Sequence, residues 1–384
     1  MSRNILSLDF YGGEITAALA ALDEETSTLR LRHVLRRPTH AFSGAFVRDM
    51  QGAQDELSAV FSEISQYLSI DPSVVIGLRG NFLSFKRASG FNTVDSRNRI
   101  IGEREIQSAI KNSVPPNLSE TLDVVDILPQ SYTIDGNTGI KNPKGMAGFT
   151  LEVETFLSCA LVTHLNNLNN VLAACGCNEY QVLPTAIALG ETLTREEEKQ
   201  ADALVLDIGQ SAVSALMYHK GALVDAWELP FGRDAVAQAV ADLLQNDLET
   251  ARDVLKDYEP GTDDIMDDVL EDASAQLLQD IKKELLQSLL YLKYPSAQLV
   301  LCGEAADKNL LKTAKKIFGA RKARLAAFDD LIADCPANDS VYCGAVSLLT
   351  HTLEREQKRL GVAQAKEEGL LDGLLNKLGL NELF

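Results

Sequence analysis

With 384 residues, 46% of them hydrophobic, the chain is long enough to bury more than one core, and two or more folded units are expected. A formal net charge of −19 argues against a nucleic-acid surface, which needs a concentrated basic patch, and none stands out along the chain. No signal peptide and no apolar run long enough to span a bilayer is seen, so Cys159, Cys175, Cys177, Cys302, Cys335 and Cys343 read as reduced thiols and the expected compartment is the cytoplasm. Cys175-Gly-Cys177 lacks a second Cys or His pair, so a zinc site is not expected.

The chain opens with three short strands, Asn4–Phe10, Glu14–Ala21 and Thr28–Arg36, the last two joined by the polar turn at Asp23 to Glu25. Leu57, Val60, Phe61, Ile64, Tyr67 and Leu68 then recur at helical spacing over residues 52–69, and "SVVIGLRG" follows as a buried strand ending in glycine. The same order returns from residue 203. Strands are expected at Ala203–Ile208, Val213–His219 and Leu223–Leu229, with a turn at Lys220-Gly221. A long helix from Asp234 and another over 264–293 lead to a strand at Ala297–Leu301.

Each half therefore begins with three meandering strands and a helix, and each places an aspartate at the end of its first strand, Asp9 and Asp207. In α/β units, ligands sit beyond the carboxyl ends of the strands. Two such halves face to face would aim both carboxylates into one cleft, a pair suited to Mg²⁺ that keeps its waters and bridges to phosphate. The alternative for each aspartate is a cap on a strand-to-turn junction.

This duplicated pattern resembles the actin-like ATPase superfamily. The stretch Val124 to Gly176 resembles, more specifically, the bacterial FtsA family, through Leu128-Pro129-Gln130, the Asp135-Gly136 turn, Asn142-Pro143, Gly145-Met146 and Leu151-Glu152. The resemblance implies an α/β fold of two actin-like, ribonuclease H-like domains with a small inserted α+β subdomain. It divides the chain into a first actin-like part (1–80, completed by 161–195 and 345–360), the insert (81–160), a second actin-like part (200–235 and 295–345) and a helical subdomain (236–294). A linker (361–368) and a C-terminal amphipathic helix (369–384) complete it. It further implies ATP with Mg²⁺ as cofactor, head-to-tail self-association, the FtsZ tail as partner of the helical subdomain, and a place at the division site on the cytoplasmic face of the inner membrane.

The loops that hold nucleotide in the family are altered here. The second phosphate loop, usually Asp-Ile-Gly-Gly-Gly-Thr-Thr-Asp, keeps Asp207 and Gly209 but continues Gln210, Ser211, Ala212, Val213 and Ser214. The first, usually Asp-Ile-Gly-Thr-Ser-Lys, is Asp9, Phe10, Tyr11, Gly12, Gly13 and Glu14, so a bulky tyrosine stands at a glycine position and an acid replaces the lysine. The adenosine loop reads Leu301-Cys302-Gly303-Glu304-Ala305-Ala306, and Arg252 and Leu255 replace the Glu-x-x-Lys beside adenine. If nucleotide binds, the resemblance assigns it to Asp9, Gly12, Gly13, Asp207, Gly209, Gln210, Ser211, Gly303 and Glu304, with Mg²⁺ held through water by Asp9 and Asp207. Hydrolysis is expected to be very slow.

Near the C-terminus, Leu370, Leu371, Leu374, Leu375 and Leu378 share one helical face, too short to span a bilayer but able to lie in its interface. The alternative is a helix docked in a protein groove. Lys366 and Lys377 stand against Glu367, Glu368, Asp372 and Glu382, so binding of the chain to a membrane is expected to depend little on salt or anionic-lipid content. Two other readings compete with a membrane-attached division adaptor: an actin-like pilus-assembly scaffold, and an ATPase or kinase of the same fold. An enzyme should retain its phosphate loops and an identifiable acid or base, and His33, His40, His164, His219 and His351 have neither metal nor catalytic spacing.

Overall fold

The structure, a computed structural model, describes residues 2–23, 28–68, 71–294, 298–304, 306–328, 332–333, 335 and 340–356. Two sheets with the same internal order organise it. In the first, Ser2–Tyr11, Glu14–Asp23 and Thr28–Pro38 form an antiparallel meander, and Ser73–Leu78 and then Tyr180–Pro184 add in parallel beside the first strand. In the second, Ala203–Ile208, Val213–His219 and Ala222–Leu229 meander, and Gln298–Cys302 and Lys322–Leu325 add in parallel. The duplication read from the strand order is thus present in hydrogen-bonded topology.

Local chemistry accounts for the elements. The central strands are buried on both faces and correspondingly apolar: Ala203–Ile208 is buried at every position. The helix Met50–Ser65 buries Ala53, Leu57, Val60 and Ile64, one stripe at helical spacing, and Asp49 caps its start by accepting from the Gln51 amide. The first hairpin turns on two residues: Tyr11 pairs with Glu14, and Gly12 and Gly13 both take positive φ, 62° and 80°, as a tight hairpin loop requires.

The insert is a four-stranded sheet, Leu83–Thr93, Thr150–Leu161, Leu122–Ile134 and Asn137–Ile140 in spatial order, crossed by the helix Glu103–Lys111. Gly90 admits this helix, because a Cβ there would overlap the Ala109 carbonyl and lie 2.6 Å from the Ser113 amide. At the Asp135-Gly136 turn, Asp135 accepts from the Phe149 and Thr150 amides, which holds its carboxyl below the usual carboxylate range.

Three details differ from the sequence reading. The long helix expected from Asp234 is broken at Gln245 into Asp234–Leu244 and Leu248–Asp257, and the stretch expected over 264–293 is likewise a long helix, Asp264–Leu285, and a separate short one, Leu289–Lys293, capped by Ser288. Ile332–Ala333 pairs with Thr28–Pro38, so the chain touches the first sheet before its closing helix at 343–356. The third concerns charge: on the helix Lys308–Phe318, Leu310, Ala314 and Phe318 face inward, whereas Lys308, Lys312, Lys315 and Lys316 are exposed together on the opposite side. Arg321 and Lys322 extend this cationic face, and among the described residues none of the six has an ion-pair partner. The net charge had concealed the patch, because helical periodicity gathers cations that composition only counts. Among the described residues, no helix is long and apolar enough to cross a membrane.

Candidate functional site

Asp9 and Asp207 occupy equivalent positions, each near the end of the central strand of its sheet, paired across the meander with Thr16 and Ser214. The two halves face one another, and both carboxylates reach the same cleft, 0% and 2% exposed. Two buried carboxylates so close need a compensating cation. Here the cation is part of the chain. Arg79, directly after the buried strand Ser73–Leu78, directs Nε to Asp9 Oδ1 and Oδ2 at 2.9 and 3.0 Å and Nη1 to Asp207 Oδ2.

All four carboxylate oxygens are engaged. Asp9 Oδ1 also accepts from Thr185 Oγ1 at 2.8 Å, and Asp207 Oδ1 accepts from the Tyr11 hydroxyl at 3.3 Å. Burial works against the Arg79 charge, but Asp9 and Asp207 outweigh it and push its pKa well above the usual guanidinium value. Burial, reinforced by Asp207, likewise keeps the Tyr11 phenol protonated far above its usual range. The Tyr11 ring lies under the Arg79 guanidinium, 4.5 Å from ring centre to Cζ. Breaking a buried pair of this kind by removing one partner typically costs about 3–5 kcal/mol.

Tyr11 also spans the cleft. A Cβ on Gly209 would stand 2.6 Å from its ring, one on Gly303 2.6 Å from its hydroxyl, and the Glu304 amide donates to that hydroxyl at 3.4 Å. The loop after Asp207 is fastened to its own domain: the Gly209 amide donates to the Ala212 carbonyl, and the Gly209 and Gln210 carbonyls accept from the Arg233 and Asp234 amides. Gln210 donates through its side chain to Asp234, which also holds Arg252 through two bonds of 2.8 and 2.6 Å. Arg252 and Gln210 thus share one carboxylate. Leu255 packs instead against the cluster around Val240 and Ala241. Glu14, the acid in place of lysine, pairs with Arg36, which reaches Glu304 of the other half at 3.3 Å. Ser211 lines a cavity of about 380 Å³ beside Arg79, with Gly12, Gln210, Ser214 and Glu228.

These residues do not fit a magnesium triphosphate as the fold family holds it. A guanidinium stands between the two aspartates, a phenol ring fills the space between the phosphate-loop backbones, and the Gly209 amide is turned inward to Ala212. Among the described residues no group of three or more His, Cys, Asp and Glu side chains could hold a metal ion. Leu370, Leu371, Leu374, Leu375 and Leu378 lie outside the described residues.

The structure thus brings together Asp9, Gly12, Asp207, Gly209, Gln210, Gly303 and Glu304 around the cleft, and Gly13 closes the hairpin at its lip. Sequence reasoning missed Arg79, Thr185, Glu228 and Gly344. The Arg79 signal was present: a charged residue immediately after the buried apolar run Val74 to Leu78, where only a buried counter-charge makes ionisation tolerable. Glu228 accepts from Ser214 Oγ at 2.9 Å and from the Gly80 amide of the first half at 3.3 Å, and burial pushes its carboxyl up to about 7.

Residues 80–158 match the model of the SHS2 domain inserted in FtsA, which coincides with the insert between Leu83 and Leu161. Over 333 residues the chain is 20% identical to the cell division protein FtsA of Streptococcus pneumoniae, a match covering 80% of this chain and 73% of that one. The FtsA of Bacillus subtilis is 24% identical over 47% of this chain and 41% of its own length, and that of Enterococcus hirae 29% identical over 38% and 33%. In architecture the chain is similar to a chain of the PilM-PilN type IV pilus biogenesis complex (TM-score 0.65, 15% identity, 91% of this chain and 98% of that one). It is also similar to MreB 5 of Spiroplasma citri bound to AMPPNP (TM-score 0.53, 14% identity, 94% and 98%). With an actin-like fold carrying the SHS2 insert and curated relatives of one kind along most of its length, the chain is similar to FtsA and diverges from it in sequence.

Proposed function

We propose that the chain is a cell-division scaffold that links the FtsZ ring to the cytoplasmic membrane and assembles head to tail, without an ATP cycle to drive it. The single observation that carries the reading is the SHS2 insert, set between the paired strands of the first actin-like half. A pilus-scaffold reading draws on the likeness to the PilM-PilN complex, which at 15% identity speaks for the fold alone. The insert favours division.

The partner surfaces follow from chemistry. On the helix Asp264–Leu285, Asp264, Asp268, Glu271 and Asp272 are exposed on one face, while Asp267 is used internally by Tyr258 and the Gly261 amide. An anionic helix face steers the approach of a basic tail peptide. Membrane attachment is assigned to the leucine stripe at residues 370–378, which supplies apolar area but little charge. The cationic face of the helix Lys308–Phe318 supplies the charge, and it revises the expected salt dependence: attraction to anionic lipid should now weaken as ionic strength rises.

Sedimentation of the full chain with FtsZ polymers and with vesicles, separately and together, tests the adaptor reading. FtsZ should pellet with vesicles only when the chain is present. If FtsZ never co-sediments while the chain binds vesicles, the adaptor role is wrong.

A further inference from the structure

We propose that Arg79 is a built-in replacement for the metal and phosphates of an actin-like cleft, so that the chain's own guanidinium holds the two halves together and nucleotide is not needed. The inference rests on the fold and the cleft, and stands whether or not the chain binds FtsZ.

The argument begins with charge. Asp9 and Asp207 come from different halves, and their carboxylates are out of water. In a nucleotide-holding relative of this fold, a hydrated divalent cation on a triphosphate could offset such a pair only while ligand is bound. The Arg79 guanidinium offsets it permanently, because its planar fork donates to both carboxylates at once and its charge cannot be titrated away. Tyr11 completes the replacement. Its hydroxyl satisfies the remaining Asp207 oxygen, and its ring packs against the guanidinium.

The surrounding backbone is shaped to this arrangement. A Cβ at Gly344, on the closing helix, would overlap Asp9 Oδ2 and lie 2.7 Å from Arg79 Nη2. One at Gly303, which has φ of 97°, would lie 2.6 Å from both Asp207 Oδ1 and the Tyr11 hydroxyl. Gly77 would press on Thr185, the other donor to Asp9. Three glycines from three separate segments thus make room for one ion cluster, and it reaches further: the Gly80 amide, next to Arg79, donates to Glu228 of the second half. Besides the outer pair of Arg36 and Glu304, Arg79, Tyr11 and Gly80 carry contacts across the cleft.

Two measurements on the full chain test this. Wild-type melting temperature and isothermal calorimetry are followed with magnesium chloride, with magnesium ATP and with magnesium AMPPNP; no shift and no binding heat are expected. Arg79→Ala should melt well below wild type in metal-free buffer. It should then regain much of the loss when millimolar magnesium, manganese or guanidinium is added, because each supplies a cation to the exposed carboxylate pair. Arg79→Lys should fall between the two, keeping charge without the fork. If Arg79→Ala yields no folded protein, the wild-type measurements still decide. Nucleotide binding to the wild type overturns the proposal. Binding of ATP or inorganic phosphate that is lost in Arg79→Lys would make Arg79 an anion receptor, which also overturns it, as does an Arg79→Ala protein that melts like wild type or ignores added cations.

Discussion

Glu228 offers a quantitative handle on the cleft. Its carboxyl would ordinarily titrate at 4.5; burial pushes it up to about 7 against the pull of Arg79 and the Ser214 hydrogen bond, and Asp207 pushes the same way. The folded value is raised above the unfolded one, so the contribution of this acid to stability is fully present below about pH 4.5 and is lost as pH rises through about 7. The whole shift corresponds to about 3 kcal/mol at alkaline pH. Glu228 lines the 380 Å³ cavity, however, and water there screens the charge, which reduces the expected penalty to about 1–2 kcal/mol. Glu228→Gln keeps the shape and an acceptor for the Gly80 amide while removing the charge. Melting curves of both proteins from pH 4 to pH 8.5 should show the variant gaining on wild type by a few degrees between about pH 4.5 and about pH 7, with a constant difference above that. The pH dependence of the difference carries the test, since other titrations are shared. A difference independent of pH, or a variant that loses ground as pH rises, refutes the buried-acid argument.

Other outcomes are expected from the same structure. Gly344→Ala should destabilise the chain by about 3 kcal/mol or more, since its Cβ would overlap an Asp9 oxygen that Arg79 holds in place; a melting temperature within a degree or so of wild type would show that the cluster can yield. Leu374→Glu with Leu375→Glu should release the chain from vesicles, and normal vesicle binding by that double variant would move the leucine stripe to a protein groove. Lys312→Glu with Lys316→Glu should remove the salt-sensitive part of vesicle binding, read by sedimentation with and without anionic lipid; an unchanged salt profile would leave the cationic face without a role at the membrane.

Much of the architecture was legible in the amino-acid sequence because it rests on local spacing. The meander of each half shows in alternating and continuous apolar runs, the helix Met50–Ser65 in its four buried positions, and the duplication in the recurrence of strand, turn and aspartate. The altered loops were visible too, as Tyr11, Glu14, Gln210 and Glu304. What those substitutions accomplish was not visible, because it depends on groups far apart in the chain. Arg79 meets Asp207 across 128 positions, Tyr11 meets it across 196, and Gly344 approaches Asp9 only because the closing helix packs against the first sheet. The cationic face of the helix Lys308–Phe318 lies between these cases: its residues are consecutive, yet only the direction of Leu310, Ala314 and Phe318 into the core fixes which side remains in water. Sequence determines elements through periodicity, which is local. The state of a buried charge is set by whichever opposite charge the fold brings within a few ångströms, and only the packing of the two halves put a guanidinium there.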